Sequence, residues 1–166
     1  MEVLQDPITG TVAVFGDYIA ADAVLPARHG FLSAADAVPH LMGELGDAAN
    51  ARVRANPILV VGEAFGYGTG RESPARALKA AGVRALIGVS FARMFYRNAI
   101  NNGILAIECA PLVRAGIKDG DEVEIAPALV RWKGREFAIA EVPPLFREII
   151  AAGDLIAYGR KVLAAS

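Results

Sequence analysis

The chain has 166 residues, of which 54% are apolar, and its formal net charge is −1. A chain of this length buries a sizeable core without a disulfide or a metal, so we predict a single domain over residues 1–166. The near-neutral charge and the lack of any run of lysine or arginine argue against a nucleic-acid partner, because phosphate binding requires a concentrated basic face.

The start of the sequence, MEVLQDPITG, has no basic region followed by an apolar core and a small-residue cleavage site. No apolar run approaches the roughly 20 residues of a transmembrane helix. We therefore expect a cytoplasmic protein without a leader peptide or a membrane partner.

Metal-ligating residues are scarce. Cys109 is the only cysteine, so the chain cannot form an internal disulfide, and we expect no zinc or iron–sulfur site built by this chain alone. His29 and His40 have no cysteine or carboxylate at metal-ligand spacing, and we interpret them as surface or loop histidines. Cys109 is interpreted as a small buried apolar residue without a chemical role.

The first predicted elements are a strand and a helix. Residues 11–15, TVAVF, form a short β-prone run between two glycines. Ser33 is a candidate cap for a helix in which apolar residues recur at helical spacing as far as Leu45. Residues 46–56 have a mixed composition, which predicts a surface connection.

The middle of the chain alternates strands and helices. Strands are predicted over residues 57–61, 83–89 and 104–107. Helices are predicted over residues 73–81, closed by Gly82, and over residues 91–101, with Ser90 as the N-cap. This alternation predicts parallel strands joined by right-handed crossovers.

Toward the C-terminus the pattern changes from alternating strands and helices to successive short strands. Short apolar runs over residues 121–125, 129–132 and 137–140 are separated by turn residues and predict antiparallel strands, and two helices follow over residues 145–151 and 155–163. The predicted fold class is therefore α/β, with a central, mostly parallel sheet, flanking helices and a C-terminal antiparallel strand and helix extension.

A glycine-rich loop, GEAFGYGTGRES over residues 62–73, joins a predicted strand to a predicted helix. Such a loop directs backbone N–H groups and the positive end of a helix dipole at one point, where an anion fits. Arg71 opposes the dipole, and it is better explained by a carboxylate ligand that its guanidinium can bind in bidentate fashion. The loop lacks both the P-loop ending and the dinucleotide glycine spacing, so a nucleotide is disfavoured.

A purely conformational interpretation of the loop stays open at this point. Gly66, Gly68 and Gly70 can adopt positive φ in a tight crossover. Thr69 and Glu72 can cap the helix that follows.

The wider pattern resembles a known family. Residues 62–108 are similar to the small subunit of 3-isopropylmalate dehydratase and to the swivelling domain of aconitase-type hydro-lyases, whose usual motif is G-x-N-F/Y-G-x-G-S-S-R-E-H. SFARMFYRN at residues 90–98 matches S-F-A-x-I-F-x-x-N, and NGIL at residues 102–105 matches N-G-L/I-L. GDYIAADAVLPAR at residues 16–28 resembles G-D-x-I-x-T-D-x-I-I-P-A-R. The resemblance covers about residues 10–126.

The resemblance implies a β/β/α swivelling domain that closes over an iron–sulfur cluster carried by a separate, larger subunit. It implies reversible loss and addition of water on a hydroxy di- or tricarboxylate, as part of leucine biosynthesis in the best-matched family. The cluster iron would act on the leaving hydroxyl, while the small subunit would supply the base and the carboxylate clamps.

The resemblance also assigns site residues. Thr69 takes the place of the family's first serine, the base, and Gly70 takes the place of the second serine. Arg71 corresponds to the motif arginine and is expected to clamp a substrate carboxylate, with Gly68 and Gly70 beside it. Arg28 is a further candidate substrate contact from the first loop, with a solvated surface arginine as the alternative.

The sequence departs from the family motif at several positions. Gly70 has no hydroxyl, Ser73 stands where the family usually has histidine, and Ala64 stands where it often has asparagine. These departures keep open a second hypothesis, a non-catalytic binding or regulatory module that retains the fold. Phe31 and Leu32 are placed to line an apolar pocket, which favours an alkyl-bearing malate over citrate as substrate.

Overall fold

The computed structural model describes residues 7–166, so the predictions that concern residues 1–6 lie outside the described part of the chain. The strands are β1 (Ile8–Val14), β2 (Ile58–Val61), β3 (Ala85–Gly88), β4 (Leu105–Glu108), β5 (Glu122–Ala126), β6 (Leu129–Trp132) and β7 (Arg135–Ala138). The α-helices are α1 (Ala21–Val24), α2 (Ala34–Ala37), α3 (Ala49–Ala55), α4 (Ser73–Ala80), α5 (Arg93–Asn101), α6 (Ala110–Val113), α7 (Pro144–Ala152) and α8 (Leu155–Ala164).

The strands form one seven-stranded sheet in the order β4-β3-β2-β1-β5-β6-β7. Strands β1 to β4 pair in parallel, whereas β5 pairs antiparallel with β1, and β6 and β7 continue in antiparallel pairing. The predicted fold class is confirmed: a parallel α/β sheet is extended by C-terminal antiparallel strands and two helices. Across residues 7–166, no helix is long and apolar enough to cross a membrane.

The parallel strands are buried on both faces because helices and connecting segments cover each side of the sheet. In β2, Leu59 and Val61 face a core cluster that includes Leu78 of α4, while Ile58 and Val60 face the cluster on the other side. This alternation is the two-residue period of a strand. A strand such as ILVV, which has apolar residues on both faces, therefore fits the centre of the sheet, where both faces are buried.

The predicted helix after Ser33 is wrong beyond its first turn. Ser33 caps as predicted, since its hydroxyl accepts the Asp36 N–H at 3.1 Å. The helix ends at Ala37, and two short 3₁₀ turns, Val38–His40 and Gly43–Leu45, follow it. Met42 between them has φ of +56°, which no right-handed helix tolerates.

The predicted surface connection over residues 46–56 is also wrong, because it contains α3. Ala49 and Val53 lie one turn apart on α3, and both are buried in the core cluster that faces α4. Apolar and polar residues simply alternate in ANARVRA, which gives no helical periodic signal by which to identify a helix of seven residues.

Candidate functional site

The glycine-rich loop lies at the carboxyl end of the parallel strands, where open α/β sheets bind ligands. Residues 62–73 connect β2 to α4 and contact two other loops at this edge. Ala20, after β1, forms a parallel bridge with Tyr67, and Phe65 forms one with Phe91, after β3. Three segments that are distant in sequence therefore meet in one place.

The loop requires glycine at different positions for different structural reasons. Gly66 has φ of +83°, and a Cβ there would lie 2.2 Å from Cγ of the buried Phe95, so only glycine allows the loop to pack on α5. Gly68 has φ of +102° with no atom near its Cβ position. Gly70 does not have a positive φ, so the conformational interpretation is wrong for it. A Cβ on Gly70 would instead lie 2.9 Å from Cε of Met94.

Arg71 is held in place by Asp22. The guanidinium forms an ion pair with Asp22 of α1, and 33% of the Arg71 side chain stays exposed. The Thr69 hydroxyl lies 3.4 Å from Nε of Arg71 and 3.3 Å from its backbone nitrogen, and it accepts hydrogen bonds from both. The structure thus brings Thr69 and Arg71 together, and it adds Asp22, to which the sequence analysis gave no role although it lies within the resembling stretch.

The loop exposes unpaired backbone donors beside Arg71. The N–H groups of Gly68, Thr69 and Gly70 have no hydrogen-bond acceptor among residues 7–166. Because three successive N–H groups next to a guanidinium form a positive surface, this edge is suited to binding a carboxylate.

The first loop, residues 28–34, contacts the site through Gly30 and not through Arg28. A Cβ on Gly30 would lie 3.3 Å from Nη1 of Arg71 and 3.3 Å from Oγ of the buried Ser73. Arg28 pairs with Glu44 at 3.5 Å, and 69% of its side chain is exposed. Its role as a substrate contact therefore stays a prediction.

Two asparagines, one in α5 and one directly after it, hold the loop by hydrogen bonds. The Asn98 side-chain amide donates to the backbone carbonyls of Gly70 and Arg71, each at 3.1 Å. Asn102 donates to Oε1 of Glu72 at 2.9 Å. The sequence analysis assigned neither residue a role; the only signal was that both lie in stretches that resemble family motifs.

The expected helix caps are not formed as predicted. Helix α5 begins after Ala92, so Ser90 is not its N-cap, and the Ser90 hydroxyl accepts the Ala64 N–H of the glycine loop at 2.8 Å. Glu72 occupies the N-cap position of α4 but makes no side-chain cap hydrogen bond. The Thr69 hydroxyl bonds to Arg71, which precedes the helix.

Neighbouring groups shift the pKa values of two titratable side chains near the site. At the start of the loop, the hydrogen bond from Tyr18 to Glu63, 2.8 Å long, raises the pKa of the tyrosine. His29 and His40 stack with ring centroids 3.7 Å apart. Partial burial lowers the pKa of His29, and His40 lowers it further, so His29 favours its neutral form.

The described residues offer no metal centre. Among residues 7–166, no group of three or more His, Cys, Asp or Glu side chains could hold a metal ion. Cys109 is buried as predicted, and burial raises the pKa of its thiol, which disfavours the thiolate that a metal requires.

Known proteins resemble this chain over nearly its whole length. Residues 37–112 match the family model of the aconitase C-terminal domain. The small subunit of 3-isopropylmalate dehydratase from Moorella thermoacetica is 42% identical over 163 residues, which cover 93% of this chain and 96% of that protein. The small subunit of 2,3-dimethylmalate dehydratase from Eubacterium barkeri is 38% identical and covers 90% of this chain, with 94% of that protein matched.

A solved structure agrees with these sequence matches. The crystal structure of 3-isopropylmalate dehydratase from Methanocaldococcus jannaschii superimposes with a TM-score of 0.83 at 34% sequence identity. The match covers 96% of this chain and 98% of that one.

We expect Asn98→Ala to loosen the glycine loop. The substitution leaves the carbonyls of Gly70 and Arg71 without their shared donor, at a cost of about 1–2 kcal/mol in the free energy of unfolding. Urea denaturation measures this cost, and hydrogen exchange measures the mobility of residues 70–73. Asn101→Ala is the matched control, because Asn101 lies on the same helix and its side chain makes no hydrogen bond within the described chain. Equal effects of the two substitutions would contradict the supporting role.

Proposed function

The chain belongs to the family of 3-isopropylmalate dehydratase small subunits, and on that premise we propose that it supplies the base and the carboxylate clamp for a reversible dehydration. As a member of this family it is one subunit of a hydro-lyase. The observation that carries the proposal is the placement of the Thr69 hydroxyl beside the Arg71 guanidinium, next to three unpaired backbone N–H groups.

The partner in this proposal is a large subunit that bears an iron–sulfur cluster. A cluster requires several thiolate ligands, and this chain has only Cys109, which is buried. The described residues therefore do not fit a cluster, and we assign it to the partner, where its iron would act as a Lewis acid toward the leaving hydroxyl. We further propose that the complex is cytoplasmic, a heterodimer at minimum, and active in leucine biosynthesis.

Arg71 is the proposed clamp for a substrate carboxylate. A guanidinium has five donors in a planar fork, and the ion pair with Asp22 uses only one edge of it. Asp22 fixes the direction of the fork, while the exposed third of the side chain stays open to a ligand. The N–H groups of Gly68 and Gly70 provide donors for the same carboxylate.

Thr69 is the proposed base. Its hydroxyl accepts hydrogen bonds from Arg71 in the described structure, and the adjacent positive charge favours the alkoxide over the neutral hydroxyl. The β-branched side chain is stiff at χ1, which keeps the oxygen in one direction. In this role the alkoxide removes the proton from the substrate carbon next to a carboxylate, and that carboxylate is held by Arg71.

The substrate class we propose is an alkyl-bearing malate. Phe31 is fully exposed on the first loop, and Leu32 beside it is half-buried against the core. An apolar surface at this point favours an alkyl arm over the charged arm of citrate. The relatives named for isopropylmalate and for dimethylmalate are consistent with this class and leave the length of the arm open.

A non-catalytic module is the second candidate function, because Gly70 has no hydroxyl and Ser73 is buried against Gly30. Anaerobic co-expression with the large-subunit gene of the same genome, followed by assay with a panel of alkylmalates and citrate, separates the two. We expect a brown complex that dehydrates an alkylmalate. A brown complex without activity on any substrate would favour the binding module, and a preference for citrate would overturn the substrate class.

We expect Thr69→Ala to lower kcat by about 10²–10⁴-fold, since a positioned acid or base contributes that much. Thr69→Ser keeps the oxygen and should retain most of the activity. The measurement is kcat and KM of both variants in the reconstituted complex. Unchanged turnover of Thr69→Ala would remove the base role.

Arg71→Ala is expected to cost about 2–5 kcal/mol of transition-state stabilisation, and Arg71→Lys less, because lysine keeps the charge but loses the planar fork. Folding should change little, because partly exposed ion pairs such as that with Asp22 contribute about 0–1 kcal/mol. The measurement is kcat/KM in the complex beside the Tm of the isolated chain, with Arg76→Ala on the exposed side of α4 as control. Near-normal kcat/KM for Arg71→Ala, or collapse of its folding, would contradict the clamp.

A further inference from the structure

A second concave surface lies beside the candidate site. It is a groove of about 810 Å³ between α5, the β4 strand and residues 139–143, and we call it the β4 groove. Its apolar lining includes three aromatic side chains, those of Phe91, Tyr96 and Phe146. The groove takes no part in the proposed chemistry.

The floor of the β4 groove is an open strand edge. Strand β4 is the last strand on its side of the sheet. The N–H groups of Leu105 and Cys109 bond toward β3, at 3.0 Å and 2.8 Å. Because successive residues of a strand face opposite sides in their hydrogen bonding, the N–H and C=O groups of Ala106 and Glu108 face away from β3.

These outward groups have no partner among residues 7–166. Glu108 is exposed, so its outward main-chain groups are open to an occupant, whereas Ala106 is only 2% exposed, and its main chain is covered by other parts of this chain. An extended polypeptide laid along this end of the strand would pair with Glu108 in the manner of an added strand.

The α5 side of the groove carries two arginines without acidic partners. Arg93 and Arg97 lie one turn apart on α5, line the groove and form no ion pair within the described chain. Like charges at this spacing repel each other, so a carboxylate from outside would relieve the repulsion. Glu141, which also lines the groove, pairs with Arg147 at 3.7 Å, whereas Glu108 forms no ion pair within the described chain and is left to face a cationic or N–H group of an occupant.

The groove is continuous with the candidate site through α5. Met94 lines the groove, is half-exposed, and its terminal methyl lies against Gly70 of the glycine loop. Asn98 of the same helix bonds to the loop carbonyls. A protein that covers the loop therefore also reaches the groove.

We propose that the β4 groove seats an extended segment of the large subunit. The main chain of that segment pairs with the outward groups of Glu108, its apolar side chains contact the aromatic lining, and a carboxylate of the segment lies opposite Arg93 and Arg97. This inference rests on the proposed function, which supplies the partner.

The test measures the affinity of the full-length chain for the purified large subunit. The double variant Arg93→Glu, Arg97→Glu should raise Kd at least about tenfold, whereas Arg54→Glu, an exposed arginine of α3 away from the groove, should leave it unchanged. Glu108→Pro removes the outward N–H at an edge position that tolerates proline and should raise Kd about tenfold, with Glu108→Ala as the control that keeps the N–H. The Tm of each isolated variant checks that it folds.

Hydrogen exchange provides a direct readout, since the Glu108 amide should become protected in the wild-type complex. Kd values within twofold of wild type for both groove variants, with no protection of this amide, would overturn the inference while leaving the proposed function intact. Failure of the wild-type chain to bind the large subunit would overturn both. The wild-type chain could instead form a dimer that the groove variants convert to monomers, while the variants keep their affinity for the large subunit. That result would assign the groove to a second copy of the chain and overturn the inference.

Discussion

The close contact between Gly66 and Phe95 is the constraint on which the site depends. The backbone of the loop passes so near the phenylalanine ring that a Cβ at Gly66 would overlap it, and Phe95 in turn is buried in the core cluster that includes Leu78 of α4. Phe65 packs edge-on against Phe95 with ring centroids 5.1 Å apart, which fixes the loop from its other side. Without this packing, the fold would not determine the directions in which the Arg71 and Thr69 side chains point.

Once the loop rests on α5, its polar groups divide into two sets. The carbonyls on the α5 side are satisfied by Asn98, whereas the N–H groups on the other side stay unpaired. The unpaired N–H groups belong to residues next to Arg71, so the loop is held by α5 and keeps donors free for a ligand. Such preorganisation lowers the cost of binding, because the donors need not be ordered when the ligand arrives.

The glycine at position 70 is coupled to a methionine. Cε of Met94 lies where a side chain at Gly70 would begin, so the space that a second loop hydroxyl would use is taken by a half-exposed apolar group. Methionine is flexible and fills irregular gaps, and its chain end can move at small cost. The departure from the family motif at this position therefore goes with a methionine end that occupies the space of the missing side chain.

The sequence by itself determined the alternation of strands and helices from residue 57 onward, apart from the four-residue α6, because buried strands such as ILVV and an alanine-rich helix closed by Gly82 carry strong local signals. It also indicated the glycine loop and Arg71 as a carboxylate site, whereas the role of Thr69 came from the resemblance to the family motif. Local signals failed between residues 33 and 56, where the positive φ of Met42 and the burial of Val53 depend on contacts with other parts of the chain. The partners Asp22 and Asn98, the open edge of β4 and the reason for Gly66 were decided only by the tertiary structure. Each of them depends on which segments far apart in sequence come to lie side by side, and no pattern of neighbouring residues encodes that.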